Sequence, residues 1–234
     1  MTHRAALPDT ALPSVVHAWV DGWARARGTD APRAVPGGFR IEVRRPGHLA
    51  RHVLPGADPA VLRGLVDTLT APGQWIKACA PREAVEPLLT ADWEISEPQY
   101  LMTTDRPAPP GAGDGLPSGY RLEVVDEGAG VYEARVHTGS GPALAASGRA
   151  ALTTGAAGGR PAPYAPSVVF DMIGTEPAHR RRGLGRAVMD ALARRAVERG
   201  ARQGVLVASP EGRALYEAMG WRVRSPVTAA GRRG

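Results

Sequence analysis

The stretch HRRRGLGRAVMDALARR, residues 179–195, gathers Arg180, Arg181, Arg182 and Arg186 around Gly183 and Gly185 just where a helical pattern begins. Leu184, Val188, Ala191, Leu192 and Ala196 recur at helical spacing, so packing fixes the side of that helix and leaves its N-terminal end free. Unpaired backbone N–H groups and the helix dipole meet at such an end and attract anions, the dipole alone contributing about 0.3 to 2 kcal/mol. Glycine lacks the Cβ that would hold a phosphate away from those N–H groups, at a cost of roughly 0.5 to 1 kcal/mol within a helix. Guanidinium forks match phosphate oxygens. A run of arginines is equally compatible with a solvated basic face, so the surrounding pattern has to decide. A Walker A loop is excluded, because the only lysine, Lys77, does not follow a glycine. A dinucleotide fingerprint fails too, since Val188 stands where the third glycine belongs.

Asp171 is the one acid inside the apolar run SVVFDMIGT, residues 167–175. A strand period of two places it with Val169, Ile173 and Thr175. It reads either as a proton acceptor or as a structural carboxylate bonded to a loop or an arginine. His48 and His52 in HLARH have the i, i+4 spacing of a zinc helix, but Leu49 occupies the place of the glutamate and no third ligand is evident, so no metal is expected. Cys79, the single cysteine, reads as a small core residue.

The elements that must position these groups follow from pattern. Val16, Trp19, Val20 and Trp23 form a helical face stopped at Gly28, and a second helix opens at Asp58 and Pro59. GFRIEVRRP, QWIKACA and YLMTT read as strands, so residues 1–105 form a mixed α/β unit. Proline and glycine crowd TTDRPAPPGAGDGLPSGY, and a linker is placed at 106–118. Beyond it, YRLEVVD, VYEARVH and LAASGRAALTT read as antiparallel strands. They are followed by the apolar strand at 167–175, the helix ending at Gly200, the strand GVLVAS and a short helix with Ser209 as N-cap, Pro210 in its first turn and Gly220 as its stop. Strand, helix, strand in this order implies a parallel pair with a right-handed crossover.

From about residue 118 to 225 the chain resembles the GNAT superfamily of N-acetyltransferases. The family's turn, Arg or Gln followed by x-x-Gly-x-Gly or Ala, matches Arg180 to Gly185, with Pro177 ahead of it. Its later Asn-x-x-Ala-x-x-Leu-Tyr-x-x-x-Gly-Phe pattern is echoed by SPEGRALYEAMGW, with Ser209, Gly212 and Trp221 as departures. The resemblance implies an α/β (α+β) fold. Its parts are a mixed sheet with central splayed parallel strands and flanking helices over 119–228, a smaller α/β domain before it, acceptor-site or GNAT-like in character, and a tail at 229–234. It also implies that the turn Arg180, Arg181, Arg182, Gly183, Leu184, Gly185 and Arg186 binds the pyrophosphate of acetyl-CoA. Backbone groups of Ile173, Gly174 and Thr175 would hold the pantetheine arm, Ser209 would offer it a hydroxyl, and Tyr216 would return a proton to the departing thiolate. Leu215 and Met219 are expected to be the buried pair of the last helix, leaving Tyr216 to face the cofactor.

The activity so implied is direct transfer of acetyl from acetyl-CoA to a primary amine, small-molecule or peptide. An alkylamine is only about one part in a thousand neutral at pH 7.4, so a base is expected, with Asp171 as candidate. The alternative is a catalytically silent acyl-CoA-binding module. Residues 106–234 carry 18 Lys and Arg against 11 acids, whereas 1–105 carry 11 against 12. The first half is therefore expected to dock over the thioester and suit a cationic amine, with the region of Trp93 and Tyr100 as lining. Nucleic-acid binding is not expected, since no readout module interleaves aromatics with arginine. The sequence shows neither a signal peptide nor a run of about 20 apolar residues, which points to the cytoplasm without membrane association. Oligomeric state is left open, a homodimer included.

Overall fold

The computed structural model describes residues 11–107, 115–139, 141–153 and 164–233. Most of the central part of the expected linker, and most of the Gly- and Pro-rich stretch before Ser167, lie outside them. The first half contains α1 (Leu12–Arg27), β1 (Arg33–Val35), β2 (Gly38–Arg45), β3 (His48–Leu54), α2 (Pro59–Thr68), β4 (Gln74–Ala78), α3 (Arg82–Val85), β5 (Trp93–Ile95) and β6 (Gln99–Thr104). Then come β7 (Tyr120–Gly128), β8 (Val131–Thr138), β9 (Leu144–Leu152), β10 (Ser167–Thr175), α4 (Leu184–Glu198), β11 (Gln203–Ala208), α5 (Pro210–Ala218) and β12 (Arg222–Arg232).

The helix limits follow local chemistry. Gly28 ends α1 in a left-handed conformation (φ 63°), and Thr29 N donates back to Ala24 O. Asp58 caps α2 by accepting from Ala60 and Val61 N–H. HLARHVL is a strand, so the His48 and His52 spacing does not lie on a helix. Among the described residues, no group of three His, Cys, Asp or Glu is placed to hold a metal, and no helix is long and apolar enough to cross a membrane.

The twelve strands among the described residues join in one sheet, ordered β1-β2-β3-β4-β12-β6-β11-β10-β9-β8-β7, with β5 also on β12. The parallel neighbours are β3 with β4 and β10 with β11, each pair linked through a helix, α2 and α4 respectively. β6, encoded before the linker, lies between β11 and β12, both encoded after it. Residues 229–232, expected in a tail, are instead the end of β12, paired with β4 and β5. Small side chains at Ala229 and Ala230 leave no hydrophobic alternation to read, yet both are buried.

Alternation along the strands sorts the core into layers. Val168, Phe170 and Leu206 face α4 and α5, while Leu54 and Ile76 face α2. On the opposite face Val53, Leu101, Val169, Val205 and Val227 pack on Val16, Trp19, Val20 and Trp23 of α1. That single helix touches β2, β3, β8, β9, β10 and β11. Laid flat, the strands from β2 to β8 would span about 38 Å at about 4.8 Å each, whereas a 16-residue helix is about 24 Å long. The sheet therefore curls around α1, and the curl brings β3 and β4 toward β10.

Candidate active site

β10 and β11 pair from Ser167↔Gln203 to Phe170↔Leu206 and no further, although β10 runs on to Thr175 and β11 to Ala208. Beyond Phe170 the two strands diverge, leaving β10 without a ladder partner on that side. This is the expected splay, with Asp171, Ile173, Gly174 and Thr175 along its β10 edge. On the other side of β10, Asp171 pairs with Arg149 and Gly174 with Ser147, so Met172 and Ile173 together oppose Gly148. This is a β-bulge, and Met172 takes φ 56° within it. The bulge corrects the expected facing. Asp171 stays with Val169 on the α1 side, but Ile173 packs against the α4-side core, and Thr175 Oγ1 stands 3.6 Å from where a Gly185 Cβ would lie. A strict period of two cannot survive the extra residue.

The chain then enters the arginine and glycine turn. Arg181 and Gly183 both have left-handed φ, 60° and 79°. For Arg181 this stores backbone strain of about 1 kcal/mol or more. Gly183 is the N-cap of α4 and supplies no side-chain cap, and no acid lies in the first turn. A Cβ at Gly185 would meet only Leu215 Cδ2 and Thr175 Oγ1, both at ordinary contact distance, so the concavity over the helix end is kept open by glycine. Arg182 Nη1 donates to Tyr120 Oη at 2.9 Å, Arg186 Nη2 to Ala218 O at 3.3 Å and Arg180 Nε to Thr175 O at 3.5 Å. Tyr120 Oη is also 2.9 Å from His179 Nδ1. None of Arg180, Arg181, Arg182 and Arg186 forms an ion pair among the described residues. Four arginines beside an uncapped helix start make this end of α4 cationic, the kind of place that attracts an anion.

Tyr216 departs from expectation. It is the buried residue of α5, 7% exposed, whereas Leu215 and Met219 are only partly covered. Its ring centroid lies 6.0 Å from that of Trp221. Burial, and then the Asp171 charge, push the phenol up to about 12, so it keeps its proton at neutral pH. Ser209 Oγ is engaged locally, accepting from Gly212 N at 3.2 Å and donating to Glu211 at 2.9 Å.

On the α1 side of the divergence, Arg27 Nε and Nη2 donate to the two oxygens of Asp171 at 2.5 and 3.2 Å. The guanidinium carbons of Arg27 and Arg51 lie 4.9 and 4.7 Å from the Trp23 ring centroid. Lys77 Nζ donates to Gln99 Oε1 at 2.8 Å. Burial first, and then Arg51, bring the Lys77 ammonium down to about 7, opposed by Asp171. Arg51 falls to about 10 through burial and then the Arg27 charge. Pattern reading missed Arg27, Arg51 and Lys77, because they come from three elements that only the curl of the sheet brings to Asp171. Of the expected lining, Trp93 sits in the core under α2, whereas Tyr100 pairs with Ala208 at the end of β11 and lies beneath Arg213, 4.6 Å away.

The family model described as the acetyltransferase (GNAT) domain matches residues 144–223, from β9 through β10, α4, β11 and α5 into β12. This segment is a GNAT acetyltransferase domain. Its splay and arginine turn lie within the matched residues. Three solved structures share the fold over nearly the whole chain. A GCN5-related N-acetyltransferase from Kribbella flavida is 18% identical, with 97% of each chain covered and a TM-score of 0.63. A GNAT-family acetyltransferase from Novosphingobium aromaticivorans is 18% identical over 97% of this chain and 100% of its own, with a TM-score of 0.56. A GCN5-related N-acetyltransferase from Sphaerobacter thermophilus is 12% identical over 96% of both chains, with a TM-score of 0.54. No curated protein matches the sequence. The likeness to these structures is one of fold, and it extends beyond the GNAT domain into the first half.

Proposed function

We propose that the protein is an acetyl-CoA-dependent N-acetyltransferase that passes acetyl directly to a primary amine. The observation that carries this reading is the break in the β10–β11 ladder after Phe170 beside the uncapped, arginine-lined start of α4. Backbone N–H groups at Gly183, Leu184 and Gly185, with Arg180, Arg181, Arg182 and Arg186, take the pyrophosphate. The unpaired edge of β10 at Ile173, Gly174 and Thr175 takes the pantetheine arm and leads the thioester into the divergence. Ser209, whose hydroxyl is committed to its own helix cap, borders the arm without being needed for it.

The amine enters from the α1 side, where Asp171 holds the ammonium and accepts one proton. The nitrogen lone pair then forms the C–N bond, the C–S bond breaks with its electron pair passing to sulfur, Tyr216 protonates the thiolate, and the second proton lost by the nitrogen restores the phenol. The sum is ammonium plus thioester giving amide, thiol and one released proton. Calorimetry with acetyl-CoA, followed by free-thiol release across a panel of amines and mass analysis of products, tests the reading. Micromolar binding and amine-dependent thiol release are expected. Binding without release from any amine would fit the silent acyl-CoA module instead, and absence of binding would remove both readings.

A further inference from the structure

Two arginines at the candidate site are tethered, and the tethers differ in charge. Arg27 is held by the Asp171 carboxylate, which neutralises it. Arg182 is held by a phenol: its Nη1 donates to Tyr120 Oη at 2.9 Å, and it forms no ion pair among the described residues. A neutral acceptor fixes the direction of a guanidinium and leaves its charge for another ligand. Tyr120 itself is firmly placed. It opens β7, where its backbone is set by pairing with Thr138 and by Gly139 N donating to Gly119 O at 2.7 Å, and its ring packs against the α4-side core. The same hydroxyl oxygen lies 2.9 Å from His179 Nδ1, with the two rings perpendicular at 90°. A guanidinium can only donate, so Tyr120 Oη accepts from Arg182 and gives its single proton to His179 Nδ1. His179 is thereby the tautomer protonated at Nε2. Between the two tethered residues lies Arg181, whose left-handed φ of 60° persists only where its surroundings hold it.

We propose that Tyr120 is a positioning residue for the cofactor: its hydroxyl holds Arg182 and His179 at the start of α4, so that the phosphates of acetyl-CoA meet a guanidinium already set and still charged. An arginine side chain has many rotamers, and ordering it on binding costs affinity; a tether made on folding removes that cost from the binding step. The phenol touches no reacting atom, so its effect falls on binding and leaves the transfer step alone. This inference rests on the acetyltransferase reading and adds to it a residue outside the segment 144–223 that carries the family match.

Tyr120→Phe keeps the ring in the core and removes only the hydroxyl. Calorimetry on the full chain should show acetyl-CoA bound about five- to tenfold more weakly, with KM raised to match and kcat within about twofold of wild type. Arg182→Met should weaken binding as well, and in that background Tyr120→Phe should add less than about twofold, because the hydroxyl acts through the guanidinium it holds. Protein labelled with 15N-histidine supplies a second readout. At about pH 8 the His179 Nδ1 signal should be that of an unprotonated nitrogen accepting a hydrogen bond, and Tyr120→Phe should move it. Binding by Tyr120→Phe within about twofold of wild type overturns the inference, as does a loss that is undiminished beside Arg182→Met, a loss confined to kcat, or a protonated Nδ1 in the wild-type chain. Absence of acetyl-CoA binding by the wild-type chain would strike the acetyltransferase reading and this inference with it, whereas the other outcomes strike the inference alone.

Discussion

Two parallel crossovers lie in the same sheet and differ at each joint. In β3-α2-β4 the ladder is complete: Leu54 pairs with Ala78, and Cys79 N extends it by donating to Leu54 O at 2.8 Å. In β10-α4-β11 the ladder ends at Phe170↔Leu206 and a bulge at Met172 turns the strand away. The helix starts differ in the same sense. Asp58 fills the start of α2 with its own carboxylate, 2.8 Å from Ala60 N, whereas Gly183 leaves the start of α4 open. Topology thus supplies a strand end facing a helix N-terminus twice. Only where the cap is glycine, the ladder breaks and arginines gather can an external anion take the place that the Asp58 carboxylate holds in α2.

The largest expected effect tests that contrast directly. Gly185→Val should weaken acetyl-CoA binding by about 100-fold or more in calorimetry, because the added side chain enters the cradle while its Cβ meets only ordinary contacts. Ala60→Val, at the same position in the first turn of α2, should leave the affinity within about twofold. Equal losses in the two variants would break the comparison.

Next in size is Asp171→Asn, expected to lower kcat/KM about 10- to 100-fold at pH 6 and progressively less as pH approaches the acceptor's own pKa. The variant must wait for amine that has already lost its proton. A profile parallel to wild type would reduce Asp171 to the partner of Arg27. Tyr216→Phe should cost about tenfold in kcat with KM for acetyl-CoA nearly unchanged, since packing on Trp221 is retained and only the proton is lost. An unaltered kcat would make Tyr216 a core residue alone.

Two smaller effects lie on the closed crossover. The Lys77 ammonium is held near 7 in the folded chain against 10.5 when exposed, so between those values the folded chain has shed a proton that the unfolded chain keeps. Stability therefore rises with pH from about 7 to about 10.5. Lys77→Met should raise Tm by about 4 °C at pH 6, with the gain vanishing near pH 10.5. Asp58→Ala should lower Tm by about 3 °C through loss of the cap and leave acetyl-CoA binding untouched.

What could be read from the residues was local. Gly28, Asp58 and Ser209 each end or begin a helix through bonds within a few residues, and each does so in the fold. The arginine and glycine turn was legible for the same reason. The bulge was not, because an extra residue in a strand leaves no mark on an apolar run and reverses every later facing, as Ile173 and Thr175 show. His48 and His52 suggested a helix spacing that β3 does not have. Net charge along the chain could not show that Arg27, Arg51 and Lys77 gather on one side of the sheet, since they come together only through its curl. The burial of Tyr216 in place of Leu215 was likewise set by Trp221, from outside the helix.

The position of β6 has a consequence for synthesis. Its two neighbours, β11 and β12, are both encoded about a hundred residues after it, and β4 also finds its second neighbour in β12. Until β11 and β12 have been made, β6 lacks both of its neighbours and β4 one of its two. Folding of the first half is therefore of high contact order, with β12 as its closing piece. A premature stop that removes only β12 would leave the arginine turn and most of the splay encoded, yet expose β4 and β6 together and send the chain toward aggregation.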